Sequence, residues 1–370
     1  GAEVNPNGSW KISIHIANVP LWMQILQYWE HLSLIEATIY MPNKKISMFP
    51  ASLGDNLFSL LENKQRLAIS MNVCISNNGT VTSVDFTPSI ISVKKNYVYE
   101  EEQLLNNCVY KAAKDAAIAC NKQKKYMSSI SDSHAVVAFW MILMNSMVGD
   151  ILFKSKTGIF RTIAYKKTTV SRTKNIPEDV ARIAEVWGSK QADYTDASKN
   201  KGHALIGNGI ASYAHATSPI RRLVDIVNLA RLQALEGILS FPNEVILLLH
   251  KYENAVASIN DRMKKINKVQ NDCLLLTKCS KWSREQDNSY TFACTGYVIH
   301  SKNDTPDVTT YGIYLPELNI VRTITTSHVW NVYDKGQFNI YVFDDEHTLH
   351  RKIRISRMDT SLQPKVFSAE

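Results

Sequence analysis

Two adjacent guanidinium groups, Arg221 and Arg222, follow Thr217, Ser218 and Pro219 and precede Asp225 in the run YAHATSPIRRLVD (213–225). Ser favours an N-cap and Pro the first helical position, so a helix is expected to begin here and run to about residue 236. A helix start presents unpaired backbone N–H groups and a positive dipole end, and an arginine fork matches two phosphate oxygens. Phosphate binding by Thr217, Ser218, Arg221 and Arg222 is the chemistry this pattern suits. The plainer alternative is an ordinary helix start with a surface ion pair between Arg221 and Asp225, four apart. Spacing alone leaves both open.

Other chemistries find less support. There is no Walker-type loop, no dinucleotide fingerprint and no Ser-His-Asp order. His347 and His350 have metal-compatible spacing, but on a strand they would point to opposite faces, and no Cys or acidic partner accompanies them. The acids are scattered, and the one adjacent Asp pair, Asp344 and Asp345, lies near the C-terminus. Six cysteines without a C-x-x-C pair lead us to expect an intracellular, reducing compartment. A net charge of +8 over 370 residues favours a polyanionic partner. The apolar run 135–144 is short for a bilayer and reads as a buried helix, so no membrane partner is expected. The opening Gly1-Ala2, without Met, fits a processed end, a tag remnant or a shortened chain alike.

The elements that must position these groups can be placed coarsely. Residues 10–99 read as sheet with short helical insertions, with a turn at Asn77, Asn78 and Gly79. Helices are expected over 100–121, 133–153, 219–236 and 243–280, the last with a basic stripe of Arg262, Lys264, Lys265 and Lys268. The basic segment 165–175 reads as an exposed strand or loop. Five strand-like runs within 289–358 suggest an OB-type barrel, on which Tyr311, Tyr314 and Phe338 either stack bases or fill the core. The class is α+β, with domains at 1–284 and 285–370.

The run YAHATSPIRRLVD resembles the signature of the RNB family, ribonuclease II-like enzymes that degrade single-stranded RNA from its 3′ end. WKISIHIANV (10–19), TIYMPNKKISMFPASLGDNLFSL (38–60), RLAISMNVCISNNGTV (66–81) and SVKKNYVYEEE (92–102) are similar to further family blocks, so the likeness spans about residues 5–280. It implies an RNB-like catalytic-domain fold followed by an OB-type RNA-binding barrel. It further implies that Arg221 and Arg222 hold a phosphate, that Tyr40 and Tyr99 contact the RNA 3′ end, and that Gly207, Gly209, Tyr213, Pro219 and Asp225 are structural positions of the signature.

The family holds two Mg²⁺ ions with an aspartate cluster just before the His-Ile-Ala-Asp-Val strand. Here Glu3 is the only carboxylate in the first 29 residues, Asn18 stands at the aspartate of that motif, and Val137 and Ala138 replace a helical acid pair. Two-metal hydrolysis needs several carboxylates around cations about 4 Å apart. The expectation is a degenerate protein that needs no cofactor and serves as an RNA-binding or structural part of a ribonucleoprotein or other large assembly. Single-stranded RNA and protein partners are expected. The alternative is an active Mg²⁺-dependent 3′→5′ exoribonuclease whose aspartates lie in a segment not present here.

Overall fold

A computed structural model of the chain describes residues 1–33, 36–163, 176–188, 192–204, 206, 209–285, 291–305, 307–344 and 351–358. Its elements begin with β1 (Ala2–Val4), β2 (Trp10–Ala17), α1 (Val19–Ile25), β3 (Ile39–Met41), β4 (Lys44–Ile46), β5 (Gln65–Ile75) and β6 (Val81–Ser92). Next come α2 (Glu102–Leu105), α3 (Cys108–Lys124), α4 (Ser133–Lys154), β7 (Ile159–Thr162), α5 (Glu178–Gly188) and β8 (Asp193–Asp196). The helices α6 (Leu223–Leu235), α7 (Asn243–Asn254) and α8 (Val256–Glu285) come after them. Five strands close the chain: β9 (Thr291–Thr305), β10 (Val308–Leu315), β11 (Ile320–Thr326), β12 (Lys335–Asp344) and β13 (Arg351–Arg357). The architecture is α+β. One compact unit comprises Gly1–Tyr40, Lys44–Tyr165 and Ala192–Ile266, and the other Met41–Asn43, Lys166–Gln191 and Asn267–Glu370.

In the first unit β1, β2, β5 and β6 form an antiparallel sheet in that order. Period-two alternation sends Ile12, Ile14, Met71 and Val73 to one face, where they pack with Ala116 and Ala117 of α3 and Phe139 and Leu143 of α4. The opposite face is polar. Ser13 Oγ donates to Asn72 Oδ1 (2.7 Å), and His15 Nδ1 lies 2.7 Å from Ser70 Oγ. The turn between β5 and β6 needs Gly79: its φ is +86°, and a Cβ there would lie 2.1 Å from Ala119 O.

Several boundaries differ from those the sequence suggests. The Asn107 side chain accepts from Val109 N–H and Tyr110 N–H, so the expected helix over 100–121 breaks into α2 and α3. The expected helix over 243–280 is also two, parted at Ala255, whose N–H is shared between Lys251 O and Tyr252 O. At 22 residues, α4 is long and apolar enough to cross a membrane, more than the apolar run suggests. Val136, Phe139, Leu143, Met144 and Val148 are buried in the core, so the apolar character of α4 serves packing.

In the second unit five antiparallel strands stand in the order β11-β10-β9-β12-β13, so that the outer strands face each other across the closure of an OB-type barrel. Val298, Ile313, Leu315 and Phe338 fill it. Val180 and Ala184 of α5 pack with Ile299 and Tyr314 of the strands. Tyr311, Tyr314 and Phe338 are buried at 3%, 4% and 0% exposure, so they fill the core and are not available as base-stacking platforms. His347, His350, Asp345 and the segment 165–175 lie outside the described residues.

Candidate functional site

The turn bearing the two arginines is not the first turn of a helix. Arg221 N–H and Arg222 N–H both donate to Ser218 O (3.2 and 3.1 Å), Arg222 is extended, and α6 begins at Leu223 with Arg222 as its N-cap residue. The Asp225 carboxylate reaches back and accepts the Ser218 N–H at 2.7 Å, tying off the turn before the helix starts. This corrects the expected start at Pro219 and removes the helix-end dipole from Ser218. Thr38 N–H donates to Arg221 O (3.1 Å) and Leu223 N–H to Glu36 O (2.8 Å), so the turn is stitched to the segment leading into β3.

The neighbouring arginines have different fates. Arg222 pairs with the fully buried Asp225, Nε to Oδ2 at 2.9 Å and Nη2 to Oδ1 at 3.0 Å. Asp225 is therefore the partner of Arg222 and not of Arg221. Burial alone would lower the Arg222 guanidinium, but the Asp225 charge more than offsets this and holds it above its ordinary value. Arg222 Nη1 also lies 3.1 Å from His215 Nδ1, which is 2.9 Å from the Tyr194 hydroxyl. A guanidinium only donates, so Nδ1 is the bare nitrogen and the ring proton sits on Nε2. Burial, reinforced by Arg222 and Arg161, keeps His215 well below its usual value and neutral. It orders the network.

Asparagines pin this region from beneath. Asn145 of α4 donates to the Tyr213 hydroxyl (3.1 Å) and accepts the Ala216 N–H (2.9 Å). Asn228 of α6 donates to His215 O (2.9 Å) and Ile159 O (2.8 Å). Asn18, fully buried, caps α1 by accepting Leu21 N–H at 3.3 Å and donates to Gln233 Oε1 at 2.8 Å. These positions carried no motif of their own apart from Asn18; polar residues inside apolar helical stretches were the available signal for Asn145 and Asn228.

Arg221 faces a cleft of about 370 Å³, also lined by His15, Tyr40, Thr217 and Ser218. Its side chain has no hydrogen-bond or ion-pair partner among the described residues, and the Thr217 hydroxyl is buried without one. The far wall holds a π-helical turn, Ser52–Leu57, closed by Phe58 N–H to Leu53 O at 2.8 Å. Such turns recur at functional sites. Tyr40 is half exposed and lines the cleft; Tyr99, also exposed, does not line it and stacks on His134 at 3.6 Å. Gly209 has φ +93°, whereas Gly207 lies outside the described residues.

The cleft can bind an anion through Arg221, with Thr217 as a neutral donor. The one carboxylate among its described lining residues, Asp55, is 2.6 Å from Lys45. Among the described residues no three His, Cys, Asp or Glu side chains converge to hold a metal. The described residues of this chain do not fit a two-Mg²⁺ centre.

The fold is thus a helix-backed antiparallel sheet with an arginine-tyrosine cleft and, in the second unit, an OB-type barrel. Residues 2–131 match the family profile described as RNB domain, and the chain is RNB-like. Ribonuclease R of Thermotoga maritima is 32% identical over 99 residues, 26% of this chain and 14% of that protein. Mycoplasma genitalium RNase R, solved in complex with ribose-methylated single-stranded RNA, superposes with a TM-score of 0.65 at 18% identity, covering 96% of this chain and 65% of that one. Yeast Ssd1, described as a pseudonuclease, superposes with a TM-score of 0.68 at 15% identity, covering 87% of this chain and 47% of that one. The chain thus matches only part of the length of these proteins.

Proposed function

We propose that this chain is an RNB-type protein that binds single-stranded RNA at the Arg221 cleft, does not itself hydrolyse it, and works within a larger assembly. The carrying observation is the Arg221 guanidinium, without a partner among the described residues, beside Tyr40 and the Thr217 hydroxyl. In this reading Arg221 takes a backbone phosphate, Thr217 donates to it and Tyr40 stacks on a terminal nucleotide. Arg222 supports the turn without touching RNA. The loss of hydrolysis is supported by Asn18, an amide committed to packing where the family has an acid, and by the exposed apolar Val137. The RNA-bound state of the Mycoplasma protein and the pseudonuclease description of Ssd1 accord with both parts.

The test is a time course of 5′-labelled single-stranded RNA with the purified chain and Mg²⁺, alongside an anisotropy titration of the same RNA. Saturable binding with intact RNA is expected. Shortening from the 3′ end, abolished by EDTA, would overturn the loss of hydrolysis; absence of binding would overturn the RNA reading.

A further inference from the structure

A second cleft, of about 1320 Å³, belongs to the barrel unit. Every residue from 322 to 326 of β11 lines it, as does every residue from 353 to 358 on and just beyond β13. A strand that offers only one face contributes alternate residues, so both strands meet this cleft with their edges. The sheet order agrees, because β11 pairs only with β10 and β13 only with β12 among the described strands. Four successive antiparallel steps make β11 and β13 run the same way. One extended chain can therefore lie antiparallel to both.

The lining selects what that chain carries. Lys268 and Arg354 are exposed at the cleft, and the one acid among its described lining residues, Asp272, is taken by Arg322 at 2.8 Å. Ile324, Ile355 and the half-buried Trp330 supply apolar surface. We infer that this cleft is a strand-addition site for an extended segment of a partner protein in which acidic and apolar residues alternate. Each strand edge presents N–H and C=O groups in turn, and a peptide backbone answers both. A phosphodiester backbone supplies acceptors for the N–H groups, whereas its donors to the carbonyls are confined to ribose hydroxyls and base edges. Acidic side chains would meet Lys268 and Arg354, while apolar ones would turn toward Ile324 and Ile355.

The test uses the full chain and a short fluorescein-labelled peptide alternating Glu and Val. Controls are the peptide with Lys for Glu and the peptide with a central Pro, which removes one backbone donor. Saturable anisotropy is expected for the acidic peptide. Binding should be about ten-fold weaker with Arg354→Glu or with the Pro peptide, and amide exchange along β11 and β13 should slow on binding. Arg354 is exposed, so its substitution leaves the barrel folded. Lack of binding, equal binding of the Lys peptide, or no slowing along these strands would overturn the proposal. So would an oligouridylate that slows the same amides while the peptide does not, which would assign the cleft to nucleic acid. Edge amides already slow in the free chain and released by removing residues 359–370 would assign it to the chain's own tail.

Discussion

Arg222 and Asp225 form a buried ion pair three residues apart, Nε to Oδ2 at 2.9 Å, and this pair closes the turn from which Arg221 projects. Replacing Asp225 by Asn leaves a buried guanidinium without its counter-charge. Asp225→Asn should cost about 3–5 kcal/mol of stability, read from the urea midpoint. A loss below about 1 kcal/mol would mean that the pair does not hold the turn.

Arg221 should behave in the opposite way. Arg221→Ala should stay within about 0.5 kcal/mol of the parent stability and weaken single-stranded RNA by roughly 10-fold or more, as expected for one charged contact. Its salt slope should also lessen. Tyr40→Ala should weaken the same RNA, while Tyr99→Ala should leave the cleft's affinity unchanged. A larger effect at Tyr99 than at Tyr40 would place the RNA elsewhere.

Acid should loosen the first unit. Burial, followed by Arg161, pulls the His203 imidazole down to about 4. Unfolded His takes its proton near ~6.5, so as pH falls the unfolded chain protonates first. The stability that His203 contributes is complete above that value and is lost as pH falls towards 4. Partial exposure of the ring reduces the loss to about 1–2 kcal/mol. The buried neutral His215 acts in the same direction. Urea midpoints at pH 7.5 and 4.5 should differ accordingly, and His203→Gln should narrow the gap; a gap that stays the same would remove His203 from the account.

Gly79→Ala should destabilise by well over about 1 kcal/mol. It forces a positive φ on an L-residue and sets a methyl 2.1 Å from Ala119 O. The thermal midpoint measures this directly, and a midpoint within a degree of the parent would mean that the turn rearranges freely.

The broad architecture was legible because periodicity reports burial: the alternation within 65–92 yields two paired strands, and the five runs beyond residue 289 yield the barrel. Boundaries were less so. Asn107 and Asp225 redirect local backbone hydrogen bonds, and one such side chain outweighs the propensity of its neighbours. At the candidate site, the motif could not separate Arg221 from Arg222, because nothing local says which of two adjacent cations meets a buried acid. The tyrosines and phenylalanine of the barrel show the same limit, since an aromatic on a strand has one pattern whether it faces the core or a base.

The π-helical turn at Ser52–Leu57 gives one wall of the Arg221 cleft an angular phase. Each helical residue advances the chain by about 100°, and a π turn holds roughly one residue more than an α turn. Loss of a single residue there would let the turn tighten to an α turn, which completes the same rotation with one residue fewer, so Ser59 and Leu60 would keep their phase while the bulge carrying Gly54 and Asp55 drew back from the cleft. Chain length in this short stretch therefore acts as a dial on the shape of the cleft.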